Sequence, residues 1–336
     1  MPRSLLAGLA GLFLLAAGAA AGAAETDYSG KTVTILSCFA AGGGYDTYAR
    51  LYAAHLGPHL AGNPSVVVKN MPGAGGLACT NSLYSTAPRD GTVQGMVPQN
   101  VATAQLLGAP GTKYDVAKFN WLGRINSNIE VQQLWHSSQA KTIADVKRIQ
   151  VVAAGTGPDS SSVVFPRILD EMLGMKFKVV PGYEGVSMVT LAMERGEVES
   201  IARPWALSKT VHPEWLKDKT IINLVQYTAQ RNAELAEVPA VVELAETPEQ
   251  KAILSLYTSG SDIGRSILAP PGLPDAIVAD ARRAFDDTMH DPQLLADIKR
   301  NGLDFDPLAG ARLQALVVEI TRIDPALAEK AKHFSR

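Results

Sequence analysis

A short apolar run, a glycine loop and a helically spaced segment follow one another twice in the first ninety residues, and that order leaves few folds open. Lys31–Phe39 (KTVTILSCF) is β-branched and apolar, Gly42, Gly43 and Gly44 interrupt it, and Tyr48, Leu51, Tyr52 and Leu56 recur at helical spacing within Tyr45–Leu60. Ser65–Lys69 (SVVVK), the loop NMPGAGG and a helix over Leu77–Ser85 repeat the pattern, and a third strand is expected at Val93–Val97, ahead of Pro98-Gln99-Asn100. Alternation of this kind builds a mostly parallel sheet flanked by helices, whose ligand crevice lies at the carboxyl ends of its strands. All three loops emerge at that edge.

The pattern resumes in mid-chain. Strands are expected at Val131–Leu134, Gln150–Ala154, Phe177–Val180 and Glu199–Ala202, with helices after Thr142, over Val163–Leu173 and over Met188–Glu194. A last strand at Ile267–Ala269 precedes helices opened by Pro274 and Pro292 and a third over Leu308–Ile323. At 336 residues the chain has room for two cores. A formal net charge of −2 removes the electrostatic case for nucleic acid.

The first 24 residues combine Arg3, an apolar run from Leu5 to Ala17 and small residues through Ala24. That is the form of a secretory signal peptide cleaved near Ala23 or Ala24, and the run is short for a membrane span. An exported protein can oxidise its two cysteines, Cys38 and Cys79; a disulfide and two buried free thiols both remain open. No histidine cluster suggests a metal site.

Consecutive glycines before a helix leave amide groups free to face a ligand, and the helix adds its positive end, so an anion is the natural guest. Gly42–Gly44 and the group Gly73, Gly75 and Gly76 make two such candidates; tight turns alone are the alternative. Gly73, Gly75 and Ala78 also fit the dinucleotide fingerprint GxGxxA, but the acidic residue it needs about 20 positions on is absent, because Asp90 comes too early. Ser160–Ser162 do not form a nucleophile elbow, and with Asp159 they read as a helix N-cap with hydroxyls to spare. Glu130, Asp159 and Glu184 look scattered.

Several of these segments together resemble the Bug-type receptors of tripartite tricarboxylate transporters. VTILSCFAAGGGYD with the following Ala49-Arg50 is similar to that family's opening VPFPAGGxxDxxAR, and NMPGAGG to its NRPGAGG. APRDGTV, AAGTGPDSSS, VPGYEG, GEVES and ILAPPGLP follow in the family's order and cover most of the chain. The resemblance implies a two-lobed periplasmic binding protein of type II, the Venus-flytrap architecture, each lobe a mostly parallel α/β sheet. Lobe 1 would comprise residues 25–124 and 264–336, and lobe 2 residues 125–263. The function implied is capture of a small organic carboxylate, without cofactor or catalysis, and delivery to a permease of one large and one small membrane subunit. A monomer is expected.

In the family, backbone amides of the first loop hold a ligand carboxylate, a role that falls here on Ala41, Gly42, Gly43, Gly44 and Tyr45. Gly73, Gln99, Asn100, Thr156, Asp159, Ser160 and Ser161 complete the expected lining. Arg203 and Arg265 stand where relatives carry other residues; two planar forks would suit a dianionic acid, while surface positions or salt bridges are the plain alternative. The chain is expected to cross between lobes near Arg124–Asn128 and Asp262–Ser266, which makes Asn126, Ser127 and Asn128 hinge or cleft candidates. Two other uses of such a chain are a sensory co-receptor for a membrane kinase and an exported dinucleotide-dependent oxidoreductase.

Overall fold

The computed structural model describes residues 26–335 except 157–159 and 184–185, and the side chains of residues 186, 187 and 335 are not described. The signal-peptide segment and Asp159 therefore lie outside the described residues. Eleven strands are present among those described: β1 (Thr32–Ser37), β2 (Ser65–Asn70), β3 (Val93–Met96), β4 (Asn120–Asn126), β5 (Glu130–Trp135), β6 (Val151–Ala154), β7 (Phe177–Val180), β8 (Ser200–Pro204), β9 (Ile221–Gln226), β10 (Arg265–Ala269) and β11 (Leu308–Ala309). They form two sheets, ordered β11-β4-β10-β3-β1-β2 and β7-β6-β8-β5-β9.

Each sheet keeps a parallel heart, β2-β1-β3 in the first and β7-β6-β8 in the second. Reversed strands enter where the chain changes sheets. β10 runs antiparallel to both β3 and β4, and β5 runs antiparallel to both β8 and β9. Helices cover both faces of the first sheet. On one face Tyr48, Tyr52 and Leu56 of the helix Gly44–Leu56 pack with Ile35 and Phe285, and on the other Leu83, Trp121, Leu268 and Val317 come together. The second sheet buries Phe165, Leu169 and Tyr227 on one side, and Trp135, Met193 and Trp215 in a separate cluster. Each such side chain contributes about 1.5–3 kcal/mol when taken out of water.

The crossings are tighter than the sequence suggests. Arg124 and Ile125 are still part of β4, so the first crossing is only residues 127–129. The second is Gly264 alone, between the helix Pro248–Ile263 and β10. Gly264 has φ +55° and ψ −137°, and a Cβ there would lie 2.2 Å from the Asn126 carbonyl oxygen. The two crossings thus touch at a point that admits only glycine. The helix Pro248–Ile263, whose Thr247 capping box opens it, was not expected from the sequence.

Arg124 binds the connections together. Its guanidinium donates to the Asp262 carbonyl (2.6 Å) and to the Asp306 carboxylate (2.9 Å), which also accepts from the Ser127 hydroxyl (2.8 Å). At the end of the chain Ala331 and Phe334 pack into the second sheet's core, and the Tyr257 hydroxyl donates to the Ala331 carbonyl (2.6 Å). The residues beyond Asp324 therefore strap one half to the other.

Candidate functional site

The first glycine loop is shaped by Asp46 rather than left open. The Asp46 carboxylate accepts from the Gly42 amide (2.9 Å), from Asn70 Nδ2 (2.7 Å) and from Arg50 Nε (2.9 Å). Asn70 also donates to the Phe39 carbonyl (3.0 Å), so the end of β2 fixes the beginning of the loop. The Gly42 amide, expected to face a ligand, thus already has an acceptor within the loop. Ala41, Gly43 and Gly44 are exposed, and the N-cap, Gly43, supplies no side-chain cap.

The Asp46 carboxyl is held down at about 2, chiefly by the Arg50 hydrogen bond, with the Gly42 and Asn70 bonds adding to it. A carboxyl whose folded value lies below its unfolded one stabilises the fold above the unfolded value, near 3.8, and loses that contribution as the pH falls toward about 2. Acid titration of Asp46→Asn should accordingly lack about 2 kcal/mol of the pH-dependent stability that urea denaturation of the parent shows between pH 5 and pH 2. Equal pH dependence in both proteins would remove Asp46 as the lock of the loop.

Arg265 stands against the uncapped helix end. Its Nη2 lies 3.1 Å from where a Cβ of Gly44 would be, so glycine at 44 is what lets the guanidinium come so near. The charge lies over the rings of Tyr48 and Tyr45, 5.0 and 5.4 Å from their centroids. Its Nε is buried without a hydrogen-bond partner, and no carboxylate of the described residues pairs with it. The Tyr45 ring stacks on Phe39 (4.3 Å) and its phenol oxygen accepts from the Gln99 amide (3.0 Å). Gln99 in turn accepts from Asn128 Nδ2 (2.6 Å), and Asn128 Oδ1 lies 3.5 Å from Arg265 Nη1.

Gln99 joins this cradle to a cavity of 620 Å³ between the two halves, lined among others by Asn100, Thr103, Glu130, Ser161, Phe165 and Tyr257. Ser161 opens the helix Ser161–Leu173. Thr156 and Ser160 stand behind it: Ser162 Oγ accepts from the Thr156 amide (3.1 Å) and lies 2.8 Å from Ser160 Oγ. Glu130, which the sequence presents only as one of several scattered acids, is 7% exposed in the cavity wall. Burial pushes its carboxyl up to about 7, against the opposing hydrogen bond of Ser161.

Four expected residues fall elsewhere. Arg203 is 1% exposed, its Nε donates to Gln133 Oε1 (2.9 Å), its Nη2 to Ser208 Oγ (3.1 Å), and its charge lies over Trp215. It borders a separate 440 Å³ hollow with Leu191 and His212, because β8 turns alternate side chains to opposite faces. Asn126 and Ser127 line a narrow crevice beside Lys209, Asp304 and Asp306. Gly73 is exposed outside the cavity; its loop instead packs Gly76 against Pro98 and Cys38. Cys38 and Cys79 form a disulfide with Cα atoms 5.2 Å apart. Among the described residues no cluster is suited to a metal ion, and no helix is long and apolar enough to cross a membrane.

Two α/β halves joined at crossings, with an anion-ready cradle at their junction, define the class of two-lobed periplasmic binding proteins. The chain belongs to the tripartite tricarboxylate transporter family receptors, whose pattern matches residues 49–322. Receptors of this family are periplasmic binding proteins, not enzymes. The fold is shared with a TctC solute binding protein from Polaromonas (TM-score 0.71, 19% identity, 90% of this chain and 99% of that one). It is also shared with MatC from Rhodopseudomonas palustris with bound malate (0.56, 20%, 90% and 98%) and with an R. palustris protein with adipate (0.59, 21%, 91% and 99%). A curated Agrobacterium vitis protein, described as the UPF0065 protein in the TAR-I ttuE-ttuC' intergenic region, is 31% identical over 183 residues, 52% of this chain. The chain spans about half the length of that relative, 51%.

Proposed function

We propose that this chain, exported and cleaved near Ala23 or Ala24, captures a small organic di- or tricarboxylate between its lobes and delivers it to a permease of one large and one small membrane subunit. The observation that carries the reading is Arg265, a guanidinium that pairs with no carboxylate of the described residues and is set beside the helix-end amides of Gly43, Gly44 and Tyr45. A carboxylate placed there gains both the charge and the helix end. Malate and adipate in two proteins of this fold support the same ligand class. The lobes in this reading are residues 25–124 with 264–336, and 125–263, the tail beyond Asp324 reaching across to the second, and they close about the two crossings when ligand bridges them.

The test is a thermal-shift screen of residues 25–336 against malate, adipate, citrate and neutral analogues, followed by calorimetry. A ligand at a hundredfold excess over its Kd stabilises by about 2.7 kcal/mol and raises Tm visibly. A shift with neutral solutes and none with acids would overturn the carboxylate reading.

A further inference from the structure

The interlobe cavity holds an acid that carboxylate capture by Arg265 does not call for. Glu130 opens β5, and its side chain enters the wall opposite the helix Val101–Leu106. One carboxyl oxygen, Oε2, is buried with no hydrogen-bond partner, while the Ser161 hydroxyl bonds the carboxyl. The cavity wall is mixed: Val164 and Phe165 come from the helix Ser161–Leu173 and Leu107 from the facing lobe, beside the uncharged polar groups of Gln99, Asn100 and Thr103, and Lys332 is its one cation among the described residues. An ionised carboxylate in such a place lacks both water and a counter-charge, so its neutral form is favoured.

The charged and titratable neighbours do not change that balance. Just past β9, Tyr227 stacks on Phe165 and donates its hydroxyl to Gln132 (2.7 Å), and its burial keeps it neutral. From the helix Pro248–Ile263 come Tyr257, bonded to Ala331, and Asp262, whose residue carbonyl binds Arg124. Lys332, from the tail, lies on the cavity wall and pairs with Glu329. Arg203, the neighbour along β8 of Pro204, which pairs with Glu130, is engaged by Gln133 and Ser208.

Resting on the carboxylate reading above, we infer that Glu130 takes part in ligand recognition as a neutral acid: with one carboxylate of the ligand on the Arg265 cradle, the other end meets Ser161 and a protonated Glu130. A second negative charge entering the cavity forbids an ionised Glu130, and the carboxylate of Glu130 takes one proton from solvent as the ligand binds. Ligand capture is then coupled to proton uptake. The ligand stays anionic, no bond in it is broken, and the proton returns to solvent on release.

The experiment is titration calorimetry with adipate at pH 6 and pH 8, in phosphate and in Tris, whose different ionisation heats count the protons exchanged. Because the Glu130 carboxyl titrates at about 7, a site that needs it neutral binds about tenfold more weakly at pH 8 than at pH 6. Proton uptake should approach one per adipate at pH 8, and Glu130→Gln should abolish both effects. Adipate binding with equal affinity at both pH values and no uptake, or with proton release, overturns the inference and leaves the carboxylate receptor standing. Absence of adipate binding at both pH values, beside binding of a neutral analogue, overturns both. Carbon-13 NMR of the unliganded protein labelled at its glutamate carboxyls tests the same point without a variant: Glu130 titrating in the ordinary carboxylate range sinks the inference.

Discussion

Arg265→Ala should weaken binding of the tightest carboxylate in the screen by about a hundredfold, the 2–5 kcal/mol expected when one partner of a largely desolvated charge pair is removed. The same substitution should leave the melting temperature of the unliganded protein unchanged or slightly raised. The guanidinium has a buried Nε with no hydrogen-bond partner and pairs with no carboxylate of the described residues, so in the free protein only the Tyr45 and Tyr48 rings and a long Asn128 contact offset its partial burial. That divergence between affinity and stability is the mark of a group kept for a ligand. Arg265→Lys should recover only part of the loss, because an ammonium presents no planar fork and stacks less well on Tyr45 and Tyr48. Affinity of the parent should be only modestly sensitive to salt, since the half-buried pair is poorly screened. A loss of stability as large as the loss of affinity would make Arg265 a structural residue and transfer the anion site elsewhere.

The second large effect belongs to the disulfide. Cys38 directly follows β1, before the glycine loop, Cys79 lies in the helix Leu77–Ser85, and the bond closes a 41-residue separation that holds the helix Gly44–Leu56 and β2. On the chain-entropy account such a loop withdraws about 4 kcal/mol of freedom from the unfolded chain. Both sulfurs are fully buried in a cluster with Leu36, Leu83 and Val97, so replacement by alanine adds a small packing loss. The double substitution Cys38→Ala, Cys79→Ala should lower Tm by roughly 10 °C, read by calorimetry of oxidised parent and variant side by side. A fall of under about 2 °C would mean that the parallel pairing of β1 with β2 already confines this loop in the denatured chain.

Signals that are local in the chain carried far. The helix Leu77–Ser85 and the strand Phe177–Val180 lie where hydrophobic spacing and flanking glycines place them, and β1, β2 and β3 differ only at their ends. These elements bury one face or a short continuous run, and such patterns survive without knowledge of the partners. β4 and β9 were not legible. All of β4 after Asn120 is buried, since its helices and the strands β10 and β11 enclose it, and NWLGRIN shows no alternation to read. The helix Pro248–Ile263 opens with a polar first turn and carries Ser-Gly-Ser-Asp near its end, and its burial depends on neighbours from both halves.

The site divides along the same line. The glycines and the following Tyr45 were visible as a cradle, because a helix end preceded by glycines has the same amides in any protein. The Gly42–Asp46 bond spans four positions, but that Gly44 makes room for Arg265 depends on a contact across 221 positions, from 44 to 265. Arg203 and Arg265 are chemically identical, and their surroundings alone send one to Gln133 and Trp215 and the other to the cradle. Glu130 looked like any surface acid until the folding of β5 against the helix Ser161–Leu173 withdrew it from water. Sequence determines backbone propensity and the chemistry each side chain can offer. Which charge keeps its solvent, and which is left waiting for a ligand, is settled only when distant segments pack, because desolvation belongs to the surroundings and not to the residue.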